Sequence, residues 1–230
     1  MQRATFVNTR GESVVFGTFE PFVLESIEGT GAPPLDIKST KSPYQDGSSF
    51  ISAQFTDREI SITGFIKSNR QQEMYELRRE LVKVLNPKLG PGKLVYSNDA
   101  RSYAISAIAE ESPVFNDRHV ANQMFSINFV ANDPYWRDEN QTVQGLRFES
   151  GGMTFPLRLP TQFAFSAYRG TFTNSGDEAT PVEIRYQGPA TNTFFQLQPG
   201  PNILKYGSDK DSDQQAATVT VYWNNRYVGG

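Results

Sequence analysis

The sequence predicts a mainly β protein in two parts: an N-terminal β-rich domain with one long α-helix and a β-hairpin, and a C-terminal β-sandwich. Three observations support this prediction. Aromatic residues make up 13% of the chain, and 18 Gly and 14 Pro supply turns, a composition typical of β structure. Only residues 68–85 have the apolar period of a long helix. After Tyr135, short β-rich runs recur between turn residues.

The helix is predicted over Ser68–Leu85. Its apolar residues recur at steps of three and four and therefore share one helical face: Met74, Leu77, Leu81, Val84 and Leu85. We expect Ser68 and Gln71 to form a capping box. Asn86-Pro87 should end the helix, because proline disfavours the α conformation in the preceding residue. The apolar face is expected to pack on a sheet, and the opposite face carries charged pairs at i,i+3: Glu76 with Arg79, and Glu80 with Lys83.

Alternating apolar residues mark the strands of the first half. Residues 3–17 predict a hairpin that turns at Gly11, since glycine tolerates positive φ. Ile60, Ile62 and Ile66 share one face of a later strand that Gly64 interrupts, where we expect a β-bulge. The predicted strand regions that follow the first hairpin are Phe19–Ile27, Phe50–Ile66, Lys93–Ser97, Arg101–Ile108 and Phe125–Phe129.

A long polar connection separates two of these strands. Residues 28–49 are rich in glycine and proline and contain one short β-prone patch, Leu35-Asp36-Ile37. A connection of this length in a compact domain is usually either functional or disordered. The composition leaves both interpretations open, the functional one being an arm that reaches a neighbouring subunit.

The sequence pattern changes at Asp133-Pro134-Tyr135-Trp136. Beyond it there is no helix candidate, and short β-rich runs alternate with Gly, Pro and Asn turns, which is typical of an all-β sandwich. The runs are Gly145–Phe148, Gly170–Asn174, Pro181–Tyr186, Thr193–Gln198, Asn202–Tyr206 and Thr218–Tyr222. We therefore predict two domains, 1–135 and 136–230.

Charge and composition exclude several classes of protein. The net charge of −3 gives no electrostatic reason to expect nucleic acid as the main partner. The chain has no cysteine, so disulfides and thiolate metal sites do not contribute. No signal peptide is visible, and no apolar run is long enough to span a bilayer. We expect no membrane insertion.

No residues point to catalysis, to a cofactor or to a metal. The common hydrolase, nucleotide-binding and metalloprotease motifs are missing. His119 lies in a polar connection with no nucleophile motif near it. Asp209, Asp211 and Asp213 begin like a calcium loop but lack its glycine and its final glutamate. Glu110-Glu111 would point to opposite faces of a strand and could not flank one glycosidic bond. We predict no catalytic, cofactor-binding or metal site.

The order of these parts resembles the distal tail proteins of siphoviruses, the bacteriophages with long non-contractile tails. The resemblance covers essentially the whole chain. In the first half it rests on the predicted helix and on Arg58–Ile66, Leu85-Asn86-Pro87, Leu94–Ile108, Phe125–Phe129 and Asp133–Trp136. In the second half the similar segments are Thr173–Asp177, Pro181–Ile184, Gly188-Pro189-Ala190 and Trp223–Gly229.

The resemblance implies a structural virion protein of the phage tail tip, assembled in the host cytoplasm as a homo-hexameric ring. The N-terminal domains would form the ring, and the galectin-like C-terminal sandwiches would lie on its periphery. The implied partners are the tail tube protein, the tape measure protein and the tail-tip, baseplate or receptor-binding proteins. DNA would only pass through the lumen. The connection Gly29–Ser49 would be an arm that helps to close the ring.

Two other functions compete with this one. A carbohydrate-binding module of a surface-attachment protein would need an exposed aromatic side chain, and Trp223 and Trp136 are the candidates, although Trp223 also fits the core of a strand. The carbohydrate-binding insertion of some relatives has no room between Trp136 and Gly230. A polysaccharide hydrolase would need a convergent acid pair, which the sequence lacks.

Overall fold

The computed structural model describes residues 2–19, 21–118, 122–152, 164–187, 195–206 and 218–230. The chain divides into two compact units, Met1–Glu139 with Val228–Gly230, and Asn140–Tyr227. Strands dominate both units, and the described residues contain one α-helix, which confirms the mainly β fold. Within this described part, no helix combines the length and the hydropathy that crossing a membrane requires.

The first unit consists of strands β1 to β11 and helix α1. In chain order the strands are β1 (Arg3–Val7), β2 (Ser13–Phe16), β3 (Phe22–Glu28), β4 (Leu35–Thr40), β5 (Ser49–Phe55), β6 (Arg58–Lys67), β7 (Gly92–Ser97), β8 (Ser102–Ala109), β9 (Val114–Arg118), β10 (Asn122–Ala131) and β11 (Trp136–Asp138). Helix α1 (Gln71–Val84) and a short 3-10 helix (Pro87–Leu89) lie between β6 and β7.

The main sheet of this unit closes on itself. Its strands follow the order β2-β1-β7-β8-β10-β6-β3, with β9 beside β10 and β11 beside β8. Gly17, just after β2, bridges Val23 in β3. The N–H of Gly17 donates to the carbonyl of Phe22 at 3.1 Å, and the N–H of Leu24 donates to the carbonyl of Gly17 at 2.7 Å. These bonds join the two end strands of that order, so the seven strands close into a barrel.

Aromatic side chains fill the barrel. Alternation along each strand turns every second residue inward, and five phenylalanines meet there: Phe6, Phe16, Phe22, Phe125 and Phe129. The ring centroids of Phe6 and Phe129 are 5.1 Å apart, and those of Phe16 and Phe125 are 5.5 Å apart. Tilted and edge-on pairs at these distances add about 0.5–1.5 kcal/mol each beyond the burial of their area.

Gly64 is a site of close backbone approach, and the bulge predicted there is wrong. The pairing of β6 with β10 continues without a shift through Gly64, whereas the irregularity lies on β3, between Leu24 and Ser26. A Cβ atom at Gly64 would lie 2.2 Å from the carbonyl oxygen of Val23 and 2.8 Å from the ring of Phe125. Only glycine leaves room for the neighbouring strand and for the phenyl ring.

Helix α1 begins three residues later than predicted. Its N-cap is Arg70, which makes no side-chain capping bond, so the capping box of Ser68 with Gln71 is wrong. Ser68 instead accepts a hydrogen bond from the N–H of Arg70 at 3.1 Å and donates one to Glu73 at 2.8 Å. These local bonds hold the backbone of the turn before the helix in a non-helical conformation.

The apolar face of α1 packs against β6 and β2 as predicted. Met74, Leu81, Val84 and Leu85 are buried on it, and Leu77 is half-buried. The helix ends before Pro87 as expected. The carbonyl of Val84, in the last turn of the helix, accepts a hydrogen bond from the Asn8 side chain at 3.3 Å.

The charged face of α1 differs from the prediction. Lys83 forms an ion pair with Glu12 of the β1–β2 turn rather than with Glu80. This pair and a hydrogen bond from Asn8 hold the pKa of Glu12 below its usual value. The contact ties the end of the helix to the first hairpin.

The strand predictions for the first half are confirmed with one exception. The hairpins β1–β2 and β7–β8 form as expected, and Gly11 has φ 80° at the first turn. The single strand predicted over Phe50–Ile66 is wrong, because it is two strands, β5 and β6, separated by Thr56-Asp57. Strand β5 pairs with β4, so the connection for which the sequence left both an arm and disorder open contains half of a separate hairpin.

The second unit contains strands β12 to β19. They are β12 (Thr142–Gly145), β13 (Arg147–Gly152), β14 (Ala164–Asn174), β15 (Thr180–Gln187), β16 (Gln196–Leu197), β17 (Gly200–Tyr206), β18 (Thr218–Trp223) and β19 (Arg226–Tyr227). One sheet has the order β12-β18-β15-β16 and another β13-β14-β17. Phe172 of β14 packs with Leu197 of β16 and with Val221 and Trp223 of β18, so the two sheets share one core.

Two asparagines organise a turn in this unit, and they belong to the segments on which the resemblance rests. The side chain of Asn174 donates to the carbonyls of Glu178 and Leu197 at 2.8 and 3.0 Å. The side-chain oxygen of Asn225 accepts from the N–H of Ser175 and from the indole N–H of Trp223. These residues therefore have structural roles.

We predict that Leu81→Asp unfolds the first unit, because it places a charge without a partner in a fully buried position. Arg79→Glu, on the exposed side of the same helix, is the control and should fold normally. Near-ultraviolet circular dichroism and thermal unfolding measure the difference. If Leu81→Asp folds and its thermal unfolding transition is unchanged, the residues assigned to the buried face of α1 are wrong.

A second prediction concerns Gly64. Gly64→Ala should lower the free energy of unfolding by more than about 2 kcal/mol, since the added methyl group must displace a backbone carbonyl or a core ring. Gly31→Ala is the matched control, because a Cβ there meets no atom within 4 Å. Urea denaturation of both variants compares them, and equal midpoints would contradict the packing described here.

Candidate assembly interface

The structure describes only some of the residues that the sequence analysis considered for chemistry. His119, Asp209, Asp211 and Asp213 lie outside the described residues, while Glu110 and Glu111 are exposed just past β8. Among the described residues, no group of three or more His, Asp or Glu side chains could hold a metal ion. Trp136 and Trp223 are 0% and 3% exposed. Neither tryptophan can serve as an open platform for a sugar.

The feature that stands apart from the barrel is the β4–β5 hairpin. Its two strands pair only with each other and form a separate two-stranded sheet. An isolated hairpin of this kind is marginally stable in water. Strand β4 and the turn make up most of the Gly29–Ser49 segment. The sequence allowed two interpretations of this segment, an arm or a disordered connection.

One face of the hairpin is apolar and the other is polar. Residues directly opposite each other on antiparallel strands point to the same side, and Leu35 faces Phe55 while Ile37 faces Ala53. Ile51 is the extra residue of a bulge, and Phe50 faces Ser39, which shares the side of Ile37. The opposite side carries Asp36 paired with Gln54 and Lys38 paired with Ser52.

The apolar face is open to solvent. The exposed fractions are 47% for Leu35, 59% for Ile37, 67% for Phe50 and 61% for Ile51. Side chains of this size gain about 1.5–3 kcal/mol each when they are fully buried. Exposed apolar side chains grouped on one face are typical of interaction sites.

The tip of the hairpin also presents an aromatic side chain. Tyr44 is fully exposed and has φ 64°, a left-handed conformation that is uncommon for residues other than glycine. The amide oxygen of Gln45 accepts a hydrogen bond from the N–H of Ser42 at 3.1 Å, and the amide nitrogen donates to Ser49 at 3.1 Å. These bonds fix the turn that holds Tyr44 outward.

The root of the hairpin is closed by hydrogen bonds and by an aromatic contact. The backbone N–H of Thr56 donates to the carbonyl of Pro34 at 3.0 Å. The rings of Phe55 and Tyr135 lie edge to face, with centroids 6.1 Å apart. The two strands therefore leave the barrel as one unit.

Arg58 joins this root to the barrel. Its guanidinium donates hydrogen bonds to four backbone carbonyls: Gly29 at 2.7 Å, Pro134 at 2.6 Å, Val228 at 2.6 Å, and Gly31. Gly29 and Gly31 precede β4, and Arg58 itself follows β5. One side chain therefore holds both ends of the hairpin.

The Arg58 site is buried and contains no acidic partner in its hydrogen-bond shell. Arg58 is 1% exposed, and its guanidinium carbon lies 5.6 Å from the centre of the Trp136 ring. Burial lowers the pKa of Arg58 to about 10, so the side chain stays charged at neutral pH. Carbonyl dipoles and the ring face compensate the charge.

The roles of Arg58 and of the hairpin were not recognised from the sequence, although the sequence contains a pattern that indicates each. Arg58 occupies the same alternating face as Ile60, Ile62 and Ile66, which is unusual for a charged residue. In the hairpin, apolar and polar residues alternate from Leu35 to Lys38 and again from Ile51 to Phe55. This period of two predicts a half-buried strand.

Both the sequence and the fold of this chain match known phage proteins. Residues 9–131 match the model of a family described as phage tail protein RIFT-related domain. No curated protein sequence matches. Among solved structures, the Dit protein of phage SPP1, described as a paradigm of the hub adsorption apparatus in phages that infect Gram-positive bacteria, aligns with a TM-score of 0.58 and 12% identity, covering 97% of this chain and 98% of that one.

Two structures of the baseplate of phage P2 in its activated conformation also align. The one with Ca has a TM-score of 0.47 and 11% identity, and the one with Sr has a TM-score of 0.46 and 10% identity. Each alignment covers 96% of this chain and 97% of the other. The likeness to the SPP1 protein shows a shared fold.

We predict that Arg58→Met lowers the free energy of unfolding by about 3 kcal/mol or more, because four backbone carbonyls lose one buried donor at once. Arg79→Met, an exposed arginine on α1, should change it by less than about 0.5 kcal/mol. Denaturant unfolding followed by fluorescence measures both. Equal stability of the two variants would contradict the role of Arg58.

Proposed function

The chain belongs to the family of phage tail proteins with a RIFT-related domain, and we propose that it is a structural tail-tip protein that builds a ring through its β4–β5 hairpin. The family model covers more than half of the chain. The chain is thus a component of the phage tail, as the resemblance to siphovirus distal tail proteins predicts.

The proposed ring is a homo-hexamer with a lumen through which DNA passes. On one side it would join the tail tube and the tape measure protein, and on the other the tail-tip, baseplate or receptor-binding proteins. Residues 1–135 would form the ring and 136–230 the peripheral galectin-like sandwich. The protein would act by assembly, without catalysis and without a cofactor.

The exposed apolar face of the hairpin is the observation that supports a ring most directly. Burial of its exposed apolar side chains in a neighbouring subunit would lower the free energy of the assembly. These side chains are Leu35, Ile37, Phe50 and Ile51. The hairpin is separate from the barrel, so a neighbour can cover it without disturbing the fold. A preformed element loses less conformational entropy on binding than a disordered one.

A ring also requires that each subunit use two different surfaces. Repeated head-to-tail contacts close into a ring, whereas contacts between identical surfaces end at a dimer. A projecting hairpin is suited to a head-to-tail contact, because it extends from one subunit toward a different surface of the next.

We predict that Ile37→Asp with Phe50→Asp abolishes the ring and leaves a folded monomer, since both side chains are exposed in the single chain but become buried charges in the assembly. Size-exclusion chromatography with light scattering gives the mass of each variant. The natural chain is expected as an oligomer, alone or after addition of tail tube protein.

Lys38→Asp with Ser52→Asp is the matched control, because these residues pair on the polar face of the same hairpin. This variant should assemble like the natural chain. A natural chain that stays monomeric under all these conditions would refute the proposed function. If the two variants assembled equally, the hairpin would not be part of the interface.

A further inference from the structure

Residues Val228–Gly230 return to the first unit from far along the chain. The first unit comprises Met1–Glu139 and these three residues, whereas Asn140–Tyr227 form the second unit. We call Val228–Gly230 the strap. It belongs to the first unit although the second unit precedes it in the sequence.

The strap binds the segment through which the chain enters the β4–β5 hairpin. The N–H of Gly230 donates to the carbonyl of Thr30 at 2.8 Å. The carbonyl of Val228 accepts from the guanidinium of Arg58 at 2.6 Å, and the same guanidinium binds the carbonyls on both sides of Thr30. The strap and Arg58 therefore fix residues 29–31 together.

The strap also lies against Trp136. A Cβ atom at Gly230 would lie 3.3 Å from the indole nitrogen of Trp136, and the Trp136 side chain is 0% exposed. None of the described residues accepts a hydrogen bond from its indole N–H. A buried donor without an acceptor raises the free energy of the folded state, because it has lost its hydrogen bond to water. Release of the strap would give water access to this donor.

Opposing interactions therefore act on the strap. Hydrogen bonds to Arg58 and Thr30 hold it in place, whereas the unpaired N–H of Trp136 favours its release. Gly229 and Gly230 are exposed and have no side chain to bury. Segments with few buried apolar contacts and exposed backbone hydrogen bonds are the ones that open while the rest of a structure stays folded.

We propose that the strap is a latch for the β4–β5 hairpin. With the strap closed, residues 29–31 are fixed and the root of the hairpin is ordered. With the strap open, the root loosens while the barrel stays folded. A hairpin with a loose root loses more conformational entropy when it binds. The inference rests on the proposed function for the use of the hairpin in assembly, and it adds the local equilibrium that prepares the hairpin for a neighbouring subunit.

The alternative role of the strap is a general contribution to the stability of the first unit. The two roles differ in where the effect of a strap variant occurs. A latch changes local opening in β4 and β5 and leaves the central strands of the barrel unchanged. A general contribution changes the opening of all these strands by the same factor.

Hydrogen exchange of the full chain separates these roles. The parent protein carries Ile37→Asp with Phe50→Asp, which keeps the hairpin free of neighbouring subunits, so the exchange rates describe the single chain whether or not a ring exists. Deletion of Val228–Gly230 from this parent should accelerate exchange of the β4 and β5 amides about tenfold, and the β6 amides should stay within about twofold of the parent. Gly230→Pro is the second strap variant, because proline lacks the N–H that binds Thr30.

Gly229→Ala is the matched control within the strap. The nearest atom to a Cβ at this position is the carbonyl oxygen of Thr30, at an ordinary contact distance of 3.7 Å, so this variant should exchange like the parent. Labelling with 5-fluorotryptophan gives a second measurement by fluorine NMR, since the chain has two tryptophans. The Trp136 resonance should move in both strap variants, whereas the Trp223 resonance should not.

Unchanged exchange of β4 and β5 in both strap variants would overturn the latch and leave the proposed function standing. Equal acceleration of β4, β5 and β6, or loss of the fold in both variants, would also overturn it, because the strap would then be a general part of the first unit. If the hairpin exchanges faster in the strap variants but the natural chain forms no ring, the latch stands and the proposed function fails.

Discussion

The guanidinium of Arg58 is the interaction on which the first unit depends. It binds four backbone carbonyls from three parts of the chain: Gly29 and Gly31 before the hairpin, Pro134 before β11, and Val228 near the C-terminus. No other side-chain type offers five donors in a rigid planar group. The N–H of Gly230 adds a bond to the carbonyl of Thr30 at 2.8 Å, in the same segment that Arg58 holds.

This arrangement explains how an exposed apolar hairpin can exist in a folded protein. The hairpin gains little from its own two strands, but its entry and exit are fixed to the barrel by Arg58 and by the bond from Thr56 to Pro34. Because the root of the hairpin is already ordered, assembly loses less conformational entropy. The cost is a buried charge, which the carbonyls and the face of Trp136 compensate.

Sequence reasoning succeeded where one physical pattern dominates. The apolar period of α1 and the alternation in β8 and β10 predicted those elements, because each places a continuous apolar stripe on the core. It failed where a contact has no periodic pattern to indicate it. Lys83 pairs with Glu12, which is distant in the sequence, and the local bond from Ser68 to Glu73 replaces the expected capping box.

The hairpin was missed for a different reason. Its strands have the period of a half-buried sheet, but no segment in the described part of the chain covers them. The turn residues between them therefore left both an arm and disorder open. Such a mismatch between pattern and burial is expected where a chain is completed by a partner. The predicted boundary between 135 and 136, the ring-forming role of the first domain and the absence of catalytic residues stay predictions.

Electron microscopy of the purified chain, alone and with tail tube protein, tests the central claim most directly. The account predicts closed rings with a central opening and six-fold symmetry, in which the first units form the inner wall. Images that show only single separate particles, or pairs related by a two-fold axis, would contradict it.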